Sequence, residues 1–277
     1  MLVYRGMDIG TAKPTLAQRT RVPHHLLDLA EPSERFTVAR FQQFARETLA
    51  ELGRRGITPL LVGGSGLYLR AVVDDLSFPG EDAEVRNALE REAAAGGVEP
   101  LYRRLEDLDP VAAAKIESGN VRRVVRALEV AAATGSLFSG FADAWEVFEP
   151  DRVRAAGVRV APGALGARIT ERVSTMFAAG WLGEVRGLVE RGFGGWLTSS
   201  QAIGYSELAR HLDGRLTLDE AWERTVVRTR NLARRQLAFF RRDPRIRWFE
   251  AGEAGAEPLV EDVVAYLSWQ AWETADG

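Results

Sequence analysis

Apolar side chains follow two rhythms along this chain. From Ile57 to Leu76 the stretch ITPLLVGGSGLYLRAVVDDL gives a short continuous apolar run, a glycine turn and then helical spacing. That order predicts a buried strand around Leu60 to Val62, a tight turn and a helix, an α/β signature. From Glu81 to about Thr134 the spacing becomes amphipathic and helical, with alanine-rich runs at 83–95, 99–107, 110–116 and 120–134. Local punctuation marks their ends. Pro79 and Gly80 precede the first run, Gly96 and Gly97 close it, Asp109-Pro110 offers an N-cap followed by an N1 proline, and Gly135 closes the last. Four short helices in succession predict a small helical insertion at 79–154, splitting a core of 1–78 and 155–277. Val158 to Ala161 predicts a strand returning to the sheet, followed by helices at about 164–179, 181–191, 201–212, 217–242 and 257–271.

Composition narrows the chemistry. The 277 residues are 46% hydrophobic and 27% charged, and no apolar run approaches a membrane span. MLVYRGMDIG lacks the apolar core of a signal peptide, so the expected location is the cytoplasm. With no cysteine, disulfides, thiolate nucleophiles and cysteine-ligated metals are excluded. His24, His25 and His211 are too scattered for a metal cluster, and His24-His25 reads as a core or hydrogen-bonding pair.

Net charge is −3, which does not announce a polyanion partner, but its distribution does. Eight arginines lie from Arg228 to Arg247 against one acid, Asp243, and Arg122, Arg123 and Arg126 form a smaller group. On a helix, Arg224, Arg228, Arg235 and Arg242 form one row and Arg230, Arg234 and Arg241 a second, while Val226, Ala233, Leu237 and Phe240 supply a core face. The acids that would make i,i+4 pairs on a solvated helix are missing between Glu223 and Asp243. Phosphate binding fits that pattern, with solubilising charge as the plainer alternative. GGSG at 63–66 suits either an anion at a helix N-terminus or a tight strand-to-helix turn. Asp8 and Asp28, lone carboxylates in apolar or small surroundings, suit a base or metal ligand, or a cap or turn.

Eight collinear segments resemble the tRNA dimethylallyltransferase (isopentenyltransferase) family: VYRGMDIGTAKP at 3–14, VPHHLLDL at 22–29, PLLVGGSGLYLRAV at 59–72, DPVAAAKI at 109–116, RRVVRALEV at 122–130, AAGWLGEVRGL at 178–188, QAIGYSEL at 201–208 and TRNLARRQLAFFR at 229–241. The resemblance implies a P-loop NTPase-like parallel-sheet core with an inserted helical domain and the anticodon arm of tRNA gripped between them. It implies transfer of a dimethylallyl group from dimethylallyl diphosphate to the exocyclic N6 of the adenosine 3′-adjacent to the anticodon, assisted by Mg²⁺, in a monomer. Carried over position by position, the tRNA contacts are Ser65, Arg86, the stretch Arg122, Arg123, Val124, Val125 and Arg126, the stretch Gln201, Ala202, Ile203, Gly204, Tyr205 and Ser206, and the stretch Arg234, Arg235, Gln236, Leu237, Ala238, Phe239, Phe240 and Arg241. Arg172, with Arg168 as second candidate, falls at the diphosphate position.

Two departures stand out. ESGN before Arg122 replaces a usual proline-asparagine-aspartate. In relatives a strand, a phosphate loop ending in GKS or GKT, a helix and a second strand closing in a DSMQ-like motif come before this point. Met1 falls on the methionine of that motif and Leu2 on its glutamine. The core is therefore expected to lack its first strands, phosphate loop, Mg²⁺ ligands and general-base aspartate, and the chain to be inactive as written. The alternative function is an RNA-binding module for the anticodon arm without catalysis. A small-molecule kinase of the same architecture leaves the basic helix unexplained.

Overall fold

The computed structural model describes residues 1–74, 76–141, 147–252 and 255–268. They fall into two compact units, Met1–Val73 with Pro150–Gly277, and Asp74–Glu149. The breaks lie five residues ahead of the expected 78/79 and 154/155.

In the first unit, Thr15 and Gln18 form a capping box that starts helix α1 (Leu16–Arg21). Helix α2 (Val38–Arg54) is N-capped by Thr37. Phe41, Phe44 and Ala45 turn toward the core, and buried Gln42 is satisfied by donating Nε2–H to the Ala71 carbonyl at 2.5 Å. That bond ties α2 to α3 (Gly66–Val73). The core gathers Tyr4, Met7, Phe36, Trp181, Val185, Leu188, Tyr205 and Leu208 from widely separated segments.

The second unit holds α4 (Ala83–Gly96), α5 (Glu99–Leu108), α6 (Pro110–Lys115) and α7 (Val121–Thr134). Asp82, Asp109 and Asn120 cap α4, α6 and α7 with their side chains, and Gly135 at φ +68° ends α7. Leu89, Leu101, Leu105, Ala112, Val124, Val125 and Leu128 make its core.

The first unit resumes with β1 (Ala155–Val160), α8 (Pro162–Ala178), α9 (Trp181–Val189), a short 3₁₀ turn at Ser199–Gln201, α10 (Tyr205–Leu212), α11 (Leu218–Phe240), β2 (Ile246–Ala251) and α12 (Val260–Leu267). β1 and β2 pair in parallel, from Ala155 opposite Ile246 to Val160 opposite Ala251, so α8 to α11 form the long crossover that parallel pairing requires.

Several expectations are corrected. Residues 57–64 form no strand: apart from Ile57 N–H, which donates to the Leu52 carbonyl at 2.9 Å, no backbone partner takes their groups among the described residues. Leu60 and Val62 are accordingly 71% and 80% exposed. The strand expected at 158–161 begins earlier, at Ala155, where the register with Ile246 starts. The helix expected from 201 begins at Tyr205, after the 3₁₀ turn. The helix expected at 257–271 opens with a 3₁₀ turn at Glu257–Leu259 and is helical at Val260–Leu267; residues 269–271 lie outside the described residues. His24 and His25 are exposed rather than core, with His24 Nδ1 2.7 Å from the Val22 carbonyl.

Candidate functional site

The glycine turn and the basic helix meet. Gly64 is packed against the Gln236 amide and Gly66 against the Phe239 ring, each so closely that an added Cβ would overlap it. The Phe239 ring therefore requires glycine at 66, whereas at Gly64 the neighbour is the movable end of Gln236; Ser65 between them is exposed, its carbonyl accepting the first α3 bond from Leu69 N–H at 2.9 Å. One turn further, Arg70 is buried near Asp243. Burial would raise the Asp243 carboxyl, but hydrogen bonds from the Arg245 side chain and backbone, with Arg70 nearby, outweigh it and hold the carboxyl below its ordinary value.

A second cluster forms around Trp181. Its ring lies on the backbone of both Gly10 and Gly204, the latter at φ +84°. Glu184, on the same helix α9, accepts from Asp8 N–H and Ile9 N–H at 3.0 Å each and from the Tyr205 hydroxyl at 2.5 Å. Burial, reinforced by Glu184, pushes the Tyr205 phenol far above its ordinary value, so it stays a donor. One carboxylate and one indole thus lock the 7–11 loop to the Gln201–Ser206 turn.

Asp8 and Asp28 are not lone. The buried Lys13 ammonium lies between them, 2.5 Å from Asp8 Oδ1 and 2.6 Å from Asp28 Oδ1, and also donates to the Tyr4 carbonyl at 2.7 Å. Arg19 takes the other Asp28 oxygen at 2.9 Å. Burial would raise the Asp28 carboxyl, but the Lys13 and Arg19 hydrogen bonds hold it below the usual range. Ammonium fills the place between the carboxylates, and among the described residues no group of three or more histidine or acidic side chains could hold a metal ion. These residues do not fit a Mg²⁺ site.

The remaining candidates divide by burial. Arg122 and Arg123 are exposed, whereas Val124 and Val125 are core residues of the helical unit and offer RNA no side-chain surface. Arg86 is withdrawn into a bidentate pair with the fully buried Glu129, 2.9 Å and 2.6 Å from Oε2, and Arg126 joins the same carboxylate while donating to the Pro79 and Gly80 carbonyls. Ala202, Gly204 and Tyr205 are buried, leaving Gln201, Ile203 and Ser206 as the accessible part of their turn. On α11, Arg230 donates to Thr170 and the Gly166 carbonyl, and Arg234 to Asn231, while Arg235 is exposed. Leu237 and Phe240 are half-buried, and Ala238 and Phe239 more open. Arg241 caps the helix end, and Arg242 lies beyond it. Arg172 is exposed on α8, one turn from half-buried Arg168, which lies against Gly255. Glu129, Glu184, Glu207, Lys13 and Trp181 were missed, because each looks like an ordinary helix or loop residue until its distant partners are in place.

An α/β core interrupted by a helical unit, with a glycine turn seated on an arginine-rich helix, defines a class. The profile of the IPP transferase family matches residues 2–243, and the chain belongs to that family. Among its relatives, the tRNA dimethylallyltransferase of Nocardioides sp. is 48% identical over 265 residues, spanning 96% of this chain and 85% of its own. The crystal structure of the full-length tRNA isopentenylpyrophosphate transferase from Bacillus halodurans is 38% identical with a TM-score of 0.66, over 96% of this chain and 84% of that one. A eukaryotic dimethylallyltransferase acting on tRNA shares the fold, with a TM-score of 0.74 at 24% identity over 96% of this chain and 69% of that one.

Proposed function

We propose that this chain transfers a dimethylallyl group from dimethylallyl diphosphate to tRNA, at the exocyclic N6 of the adenosine 3′-adjacent to the anticodon. In that step the bond from the N6 nitrogen to the dimethylallyl C1 forms, the C1–O bond breaks with its electron pair leaving on diphosphate, and the amine proton is taken up by water or the released diphosphate. The observation that carries the reading is 48% identity to a tRNA dimethylallyltransferase across nearly the whole chain, with the glycine turn and basic helix in contact.

Within that reading, Ser65, Gln201, Ser206 and Arg235 contact the anticodon arm, and so do Arg122 and Arg123 of the helical unit. All but half-buried Ser206 are exposed. Arg172, with Arg168 one turn away, neutralises the departing diphosphate, a role that suits a planar guanidinium. The core is of the P-loop type, supported by the parallel β1–β2 pair and by the apolar run leading through GGSG into α3. The protein works as a monomer in the cytoplasm, alongside its tRNA substrate. No helix among the described residues is long and apolar enough to cross a membrane.

The test uses isotopically labelled dimethylallyl diphosphate and two anticodon stem-loops, one with adenosine and one with guanosine at the position 3′ of the anticodon. Mass spectrometry should find one dimethylallyl group on the first and none on the second. Label at another base overturns the assignment, and binding without any transfer leaves an RNA-binding module.

A further inference from the structure

The proposed RNA-facing turn at Gln201–Ser206 is organised from beneath by a carboxylate. Glu207 is only 4% exposed although it is an acid on a short helix. Its Oε2 accepts the Gly204 backbone N–H at 2.7 Å and the Ser206 hydroxyl at 3.0 Å. Its Oε1 accepts the guanidinium of Arg228, from α11. The same guanidinium donates to Ser206 Oγ at 2.6 Å and to the Gln201 carbonyl at 3.5 Å.

Burying a carboxylate is costly unless its oxygens are satisfied, and here every donor comes from the turn or from α11. The arrangement has two consequences. It fixes Gly204, at φ +84°, and Ser206 relative to the helix that carries Arg235. It also spends Arg228, which the charge pattern assigns to a polyanion surface, on the turn itself.

We propose that Glu207 is a positioning residue for RNA recognition. Acting through Gly204, Ser206 and Arg228, it sets the Gln201–Ser206 turn against α11 and withholds one arginine from the phosphates, so that the turn responds to loop structure rather than to charge alone. This rests on the RNA-binding reading above.

The experiment measures affinity of the full chain for an anticodon stem-loop and for the same stem with a scrambled loop, across a salt series, for wild type and Glu207→Gln. Glutamine keeps an oxygen for the Gly204 N–H but releases the guanidinium. Discrimination between the two RNAs should fall about tenfold, while the salt dependence steepens by about one phosphate contact. Arg228→Lys, which keeps the charge but loses the fork, provides the second variant should the first not fold. It should lose discrimination about tenfold with an unchanged salt slope. Discrimination that survives both substitutions overturns the proposal. So does a proportional loss for both RNAs at constant slope, the signature of a merely structural role. If the wild-type protein binds neither RNA, the RNA reading fails and the proposal with it; if wild type discriminates and the variants do too, only the proposal fails.

Discussion

The ring of Phe239 occupies the space in which a side chain at Gly66 would stand. α11 can therefore lie against the start of α3 only because Gly66 carries no Cβ, whereas over Gly64 it presents the amide end of Gln236, which can swing aside. Gly63, one residue before, has open space around its Cβ position. Gly66→Ala should displace Phe239 and with it Ser65, costing about 1–3 kcal/mol of stability through overpacking and weakening anticodon stem-loop binding. Gly63→Ala should change neither. Thermal melts and RNA titrations of the two variants check this, and equal behaviour would mean that the close packing is unimportant.

Local signals were readable in the sequence and distant pairings were not. Asp109-Pro110 and Gly135 mark helix ends because a cap is made by a residue's immediate neighbours. β2 was invisible because Ile246 and Trp248 sit among arginines and become a strand only when β1, some ninety residues earlier, takes their backbone groups. The converse failure is Leu60 to Val62, whose composition is that of a strand but which has no neighbour to pair with among the described residues. In the site, the GGSG turn and the arginine helix were each legible, whereas their contact through Phe239 was not. Glu129 and Glu207 read as ordinary solvent-facing helical acids, and only the fold shows them buried under arginines.

Lys13 makes the acid sensitivity of the amino-terminal region predictable. The folded-state carboxyl of Asp28 is held below its ordinary value of 3.8, so its stabilising contribution is complete above that value and is lost as pH falls through the lowered one. Lys13→Met removes one of the two cations that offset burial and leaves Arg19 alone to oppose it, so the carboxyl rises. The variant should lose about 1.5–3 kcal/mol near neutral pH and begin acid unfolding at a higher pH than wild type. Denaturant melts between neutral pH and about pH 3 measure both effects. An acid transition at the same pH in both proteins would remove Lys13 and Asp28 from the explanation.

The arginines of α11 should separate by what they already hold. Arg235 is exposed, and Arg242 lies just past the helix, whereas Arg230 is engaged with Thr170 and the Gly166 carbonyl. Replacing Arg235 and Arg242 together by alanine should weaken RNA binding and flatten its salt dependence by about two phosphate contacts, with little change in melting temperature. Arg230→Ala should lower the melting temperature and leave the salt slope in place. A slope insensitive to Arg235 and Arg242 would mean that these side chains only solvate a surface.

Trp181 couples two loops through contact with two glycines, and this gives a test that single substitutions cannot supply. Gly204→Ala meets two obstacles, a positive φ of +84° that disfavours any Cβ and the indole ring lying where that Cβ would go. The first costs about 1–3 kcal/mol and the second about 1–3 kcal/mol, so the variant should be clearly destabilised. Trp181→Leu creates a cavity beside Gly10 and should by itself cost several kcal/mol, about 3–5 being the range for large aromatic truncations. Combined, the smaller leucine leaves room for the added methyl, so the double variant should be more stable than the sum of the two losses predicts. The steric part of the Gly204→Ala cost should vanish while the backbone part stays. A double-mutant cycle in denaturant measures the coupling directly, with interaction energies of about 0.5–3 kcal/mol typical of residues in contact. Strict additivity would show that Gly204 is required by its backbone conformation alone and that the indole does not hold the turn.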